Sequence, residues 1–141
     1  MQDRPTALDL LQAIRDLLEQ AILPSLADPR LKYQTLIAIN ALRMLEREVP
    51  DEEGRLRAEL GGLEELLELP RTAPPGDGAL LRRCVLEANR ELCERIQRGL
   101  ADAGPWRQRV LAHVRSAVEE KLRINNPSRL EAFLAEPSDE E

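Results

Sequence analysis

Leu36-Ile37-Ala38-Ile39-Asn40-Ala41-Leu42-Arg43-Met44-Leu45 is the stretch whose reading decides the fold. It lies within a helical pattern over about residues 30–49 and is apolar nearly all round, broken by Asn40 and Arg43. A helix apolar on every side has no solvent face, so it belongs in the middle of a bundle or at a subunit interface. Its neighbours on either side repeat at helical spacing too, and the expectation is an all-α protein.

Upstream, Leu10, Leu11, Ile14, Leu17, Leu18 and Ala21 form one stripe opposed by Asp9, Gln12, Asp16 and Glu19. Thr6 is placed to cap this first helix, with Asp9 three residues on as a variant of the capping box. Pro24 and Pro29 end it, and the short connection favours an antiparallel hairpin with the second helix. Downstream, Pro50-Asp51-Glu52-Glu53 stops one helix and starts another, its acids suited to the positive helix end. Leu56, Leu60, Leu63 and Leu67 make the third stripe, with Gly61-Gly62 in its middle. Each glycine costs about 1 kcal/mol relative to alanine, so the third helix reads as the weakest, kinked there or packed closely on a neighbour.

Residues 70–78 form the clear loop between two helical halves. A fourth helix carries Leu81, Val85, Ala88, Leu92 and Ile96, and Gly99 with Gly104-Pro105 marks the next turn. The fifth carries Trp106, Val110, Val114, Ala117 and Val118. After Asn125-Asn126-Pro127, Ser128 can cap a last short turn through Leu130, Phe133 and Leu134. The expected architecture is a bundle of about five amphipathic helices, mostly antiparallel neighbours. It forms a single domain over 1–135, followed by a disordered acidic tail at 136–141.

Composition agrees. The chain has 141 residues, enough for one domain that buries around two thirds of its unfolded surface. Its aromatics are Tyr33, Trp106 and Phe133, so the core is aliphatic and β-rich folds are disfavoured. Residues 1–70 carry a net charge of −6, residues 71–135 a net +4 and the last six −4. The two halves can pack on one another, or the basic half can receive an acidic or phosphorylated partner. Cys84 and Cys93 sit nine residues apart on one helix, on opposite faces and about 13 Å apart, which forbids a disulfide between them. With no hydrophobic leader and no long apolar run, the expected location is the cytoplasm, with no membrane involvement.

The polar residues within or beside the stripes are few: Asn40, Asn89 and His113 nearly complete the set. An enzyme needs convergent polar groups around a pocket. His113 is the only histidine, so no Glu-x-x-His pair and no zinc ligand set can be written, and no metal or other cofactor is expected. No glycine-rich phosphate loop occurs. The arginines at 82, 83, 90, 95 and 98 alternate with Glu87, Glu91 and Glu94, which breaks up any phosphate-tracking stripe and argues against nucleic acid. His113 borders the fifth stripe, where a bond to a carbonyl or carboxylate is expected. Asn40 and Asn89 either fix helix register or association, or join Arg47 and Arg90 in a small polar pocket. The candidate cluster is therefore Asn40, Arg47, Asn89, Arg90 and His113.

Several stretches carry a resemblance: Arg4-Pro5-Thr6-Ala7, Ala38-Ile39-Asn40-Ala41-Leu42, Arg47-Glu48, Asn89-Arg90-Glu91-Leu92-Cys93 and Asn126-Pro127. From about residue 4 to 134 the chain resembles a bacterial family of small helical proteins of unknown function. Its members accompany acyl-CoA dehydrogenases and kinases of the aminoglycoside-phosphotransferase type. The resemblance implies an accessory role in acyl-CoA or hydroxy-acid catabolism and supplies no catalytic residues. The expected function is a non-catalytic interaction protein, a homodimer or a subunit of such an enzyme. The alternative is a binding module for an acyl or phosphorylated small molecule.

Overall fold

A computed structural model describes residues 4–71 and 76–135. The expected acidic tail lies outside them, as does part of the 70–78 loop. All regular structure among the described residues is helical: five helices and a short C-terminal one, with no strand. The packing divides the chain between Asp51 and Glu52 rather than at the 70–78 loop. One compact unit spans Met1–Asp51 and a second Glu52–Glu141.

The first unit is a helical hairpin. Helix α1 (Ala7–Leu17) starts at a full capping box. Asp9 N–H donates to Thr6 Oγ1 at 3.2 Å, and Thr6 N–H donates to Asp9 Oδ2 at 2.8 Å. The Thr6 backbone N–H, and after it the Thr6 side chain, hold the Asp9 carboxyl below its ordinary 3.8. A carboxyl depressed in this way supports the fold above its unfolded-state value, and the support is lost as pH falls through the folded value. An acid titration of the Thr6 amide by NMR should therefore show its midpoint below 3.8; a midpoint above that would contradict the cap.

Beyond Leu17 the helix widens into a π-helical turn, Leu18–Ile22, and ends in a last α-helical turn, Leu23–Ser25. The cause is Pro24. It has no N–H for the Gln20 carbonyl and its ring crowds that carbonyl, and a wider turn, in which Leu23 N–H donates to Leu18 O, relieves both. Helix α2 (Pro29–Glu48) then starts on Asp28, whose Oδ1 accepts from Arg30 N–H at 2.8 Å. Arg15 lies 2.9 Å from Glu46 and Glu19 lies 2.5 Å from Arg43, so α1 and α2 run antiparallel.

This hairpin buries almost nothing. Ile39 is the only buried residue among the described residues of the unit. The apolar circumference of α2 therefore does not place it in the middle of a bundle within its own unit. A two-helix hairpin has one seam, and a helix with apolar residues on every side needs more than one neighbour.

The second unit is built around helix α3 (Glu52–Leu67), which carries Gly61-Gly62 yet runs unbroken. It packs on α4 (Gly78–Gln97) and on α5 (Pro105–Asn125). Leu60, Leu63, Leu66 and Leu67 meet Leu81, Val85, Ala88 and Leu92 of α4 and Val110 of α5. Of the two readings of Gly61-Gly62, a kink or a close approach, the unbroken helix supports the second, and burial on two sides offsets about 2 kcal/mol of glycine cost.

The α3–α4 pair also departs from the antiparallel expectation. Arg82 bonds Glu52, Asn89 bonds Glu59 and Arg95 bonds the Leu67 carbonyl, so position advances along both helices together and the pair is parallel. A parallel return must span α3, about 24 Å at 1.5 Å per residue. The connection between Leu67 and Gly78 is long enough when extended at about 3.3 Å per residue. Helix α5 runs back antiparallel to α3. Helix α6 (Pro127–Ala135) folds onto α5, with Leu130 buried and Arg115 over the Phe133 ring at 5.5 Å.

The C-terminus of α3 is unusually well held. Its last carbonyls accept from three side chains: Arg109 on Glu65 O at 2.9 Å, Trp106 Nε1 on Leu66 O at 3.1 Å, and Arg95 on Leu67 O at 3.1 Å. Two further bonds close the end, Leu69 N–H to Glu64 O and Glu68 N–H to Glu65 O, with Glu68 left-handed at φ 57°. The end of α4 closes in the same way, Leu100 N–H to Arg95 O and Gly99 N–H to Ile96 O, with Gly99 at φ 82°. Glycine suits that position and glutamate does not. Glu68→Gly should therefore raise stability by about 0.5–1 kcal/mol in urea unfolding, and a loss of stability would contradict the backbone reading.

Candidate functional site

The structure divides the five candidate residues between the two units. Asn40 is exposed and Arg47 half-buried on α2 of the first. Asn89, Arg90 and His113 belong to the second.

Asn89 is half-buried and its amide donates to Glu59 Oε1 at 2.9 Å, tying α4 to α3. Arg90, one residue on, faces solvent. His113 lies half-buried on α5 against the bare backbone of Gly62, where a Cβ would stand 3.4 Å from its Cε1 and Nδ1. Gly62 is thus a point of close approach between α3 and α5. Among the described residues the imidazole makes no hydrogen bond, in place of the carbonyl or carboxylate partner expected for it.

A shallow recess lies beside this contact, lined by Gly62, Glu65, Leu66, Arg109, Ala112 and His113. Its arginine is already turned to the Glu65 carbonyl and lies 3.6 Å from Glu68. On α4, Glu91 pairs with Arg95 at 2.7 Å, and that bond holds its carboxyl below the usual carboxylate range. Both thiols are free, Cys84 half-buried and Cys93 exposed. Among the described residues no three of His, Cys, Asp and Glu gather closely enough to hold a metal ion. No helix among them is long and apolar enough to cross a membrane.

Exposed large apolar side chains occur in both units, singly at Leu86, Leu100 and Leu134 in the second, and on both helices of the hairpin. Helix α1 turns Leu10, Ile14 and Leu17 outward, each about half exposed. On α2, Tyr33 is 67% exposed, Leu36 51% and Ile37 53%. The sequence marks these residues as apolar stripes, and periodicity alone reads a stripe as buried. That the stripes exceed what one hairpin seam can cover emerges only from the helix pairing. The outward faces of α1 and α2 are the candidate functional surface.

A model for a family described as a domain of unknown function, DUF6285, matches residues 24–129. The chain belongs to the DUF6285 family. No curated protein and no solved structure matches it. The DUF6285 match takes in all of α2 to α5, and so includes the Asn40, Asn89 and His113 positions.

Proposed function

We propose that this DUF6285 chain is a non-catalytic interaction protein that acts through the apolar faces of its N-terminal hairpin. One observation carries the reading: the hairpin has a single buried residue, Ile39, beside a run of half-exposed leucines, isoleucines and a tyrosine. Exposed apolar area of this extent on a folded protein marks an association surface, because covering it recovers hydrophobic free energy. The partner class comes from the family resemblance: an acyl-CoA dehydrogenase, or a kinase of the aminoglycoside-phosphotransferase type, in acyl-CoA or hydroxy-acid catabolism. The chain then serves as its accessory subunit, and α1 offers Leu10, Ile14 and Leu17 for that contact.

Support for the ligand-binding alternative is thinner. The recess beside His113 is shallow, and its arginine is already engaged.

The test is affinity purification of the tagged full chain from its host, with mass spectrometry of what co-purifies. A stoichiometric dehydrogenase or kinase, lost with Ile14→Glu, is the expected result. Recovery of neither enzyme class would overturn the accessory-subunit reading.

A further inference from the structure

Helix α2 carries two seams of heptad spacing, and only one of them is used by its hairpin partner. The first is Thr35, Ile39, Leu42 and Glu46, the side turned to α1, where Ile39 is buried and Glu46 meets Arg15. On the far side of the helix, about 150° round, runs the second: Tyr33, Ile37, Asn40, Met44 and Arg47. Its steps are four, three, four and three residues, the a/d pattern that seats one helix against another. Tyr33, Ile37 and Asn40 on this seam are exposed. A helix with two such seams needs two neighbours, one on each side.

The second seam is complementary to itself when reversed. Asn40 sits at its centre, with Tyr33 seven residues before and Arg47 seven residues after. If two copies of α2 cross antiparallel about a two-fold axis at Asn40, Tyr33 of one copy stands opposite Arg47 of the other. Ile37 then stands opposite Met44. Arg30 falls near Glu48 on one flank, so opposite charges meet there. The guanidinium can lie on the tyrosine ring, a favourable cation–π contact. The central amides, each with donor and acceptor, can bond to one another across the axis. A parallel crossing would instead set Arg47 on Arg47, with the helix dipoles aligned.

We infer that a second copy of this chain covers the Tyr33–Arg47 face of α2, so that two hairpins meet through their α2 helices with Asn40 on the two-fold axis. Asparagine at a single seam position is a known device for fixing register, which gives Asn40 its role. The inference rests on reading the chain as an interaction protein. It concerns a different face from the one α1 offers an enzyme partner.

The test uses the full chain with Cys84 and Cys93 replaced by serine and one cysteine introduced at a time. On oxidation, Asn40→Cys should give a disulfide-linked pair of chains in high yield, because the position faces itself across the axis. Ala38→Cys, exposed on another side of the same helix, should stay largely monomeric. Light scattering on the unmodified chain should give twice 15.9 kDa, and Ile37→Glu should halve that mass with helicity retained. A single-chain mass at every concentration, or crosslinking through Ala38→Cys and not Asn40→Cys, would overturn the inference. If Ile37→Glu fails to fold, the two cysteine variants still decide it. Absence of an enzyme partner in the purification above would leave this pairing standing, and a monomeric mass would leave the accessory role standing.

Discussion

Leu63→Ala is expected to cost the second unit about 3–4 kcal/mol of unfolding free energy, the largest effect of any truncation in the chain. Leu63 is fully buried at the centre of α3, where both α4 and α5 pack. Cutting its isobutyl group back to a methyl loses the transfer free energy of three carbons. It also leaves a cavity that two neighbouring helices cannot both close. Against a typical stability of about 5–15 kcal/mol, such a loss is close to unfolding. Trp106 is the only tryptophan and packs against the same core, so its fluorescence in urea reports this unit alone. A shift below about 1 kcal/mol would show that α3 is not the centre of the core.

Trp106→Ala should be nearly as damaging, at about 3 kcal/mol, and Trp106→Phe separates its two contributions. The indole does two things: it covers the core cluster, and its Nε1 donates to the Leu66 carbonyl at 3.1 Å. Phenylalanine keeps most of the packing and loses the bond, which costs about 1 kcal/mol. Helical circular dichroism in urea gives both values. Equal losses for the two variants would mean that the hydrogen bond, and not the packing, holds α5 to the end of α3.

What the sequence discloses of this fold is mostly local. Thr6 and Asp9 stand at capping-box spacing, and the structure closes both bonds. The stripes on α4 and α5 pick out Leu81, Val85, Ala88, Leu92 and Val110, which are buried, but also Ile96, Val114 and Val118, which are exposed. The misreadings concern which helix meets which. Gly61-Gly62 is legible as a close approach, and Gly62 does meet the His113 ring, but nothing in the sequence names the two neighbours that bury α3. The parallel α3–α4 pair escapes notice because short links bring antiparallel neighbours together, and the 70–78 segment does not show its direction of travel. For α2, apolar composition signals burial but cannot say by what. Of the candidate residues, Asn89 has its partner in Glu59, thirty positions away, which no periodicity could indicate.

The central claim is that the N-terminal hairpin is incomplete by itself and is finished by association. Backbone hydrogen exchange on the full chain, recorded for species whose mass is measured in parallel, tests this most directly. In a species with the mass of one chain, amides of α1 and α2 should exchange far faster than those of α3 and the packed face of α4, because the hairpin buries only Ile39. Strong protection of α1 and α2 in that single-chain species would contradict the account.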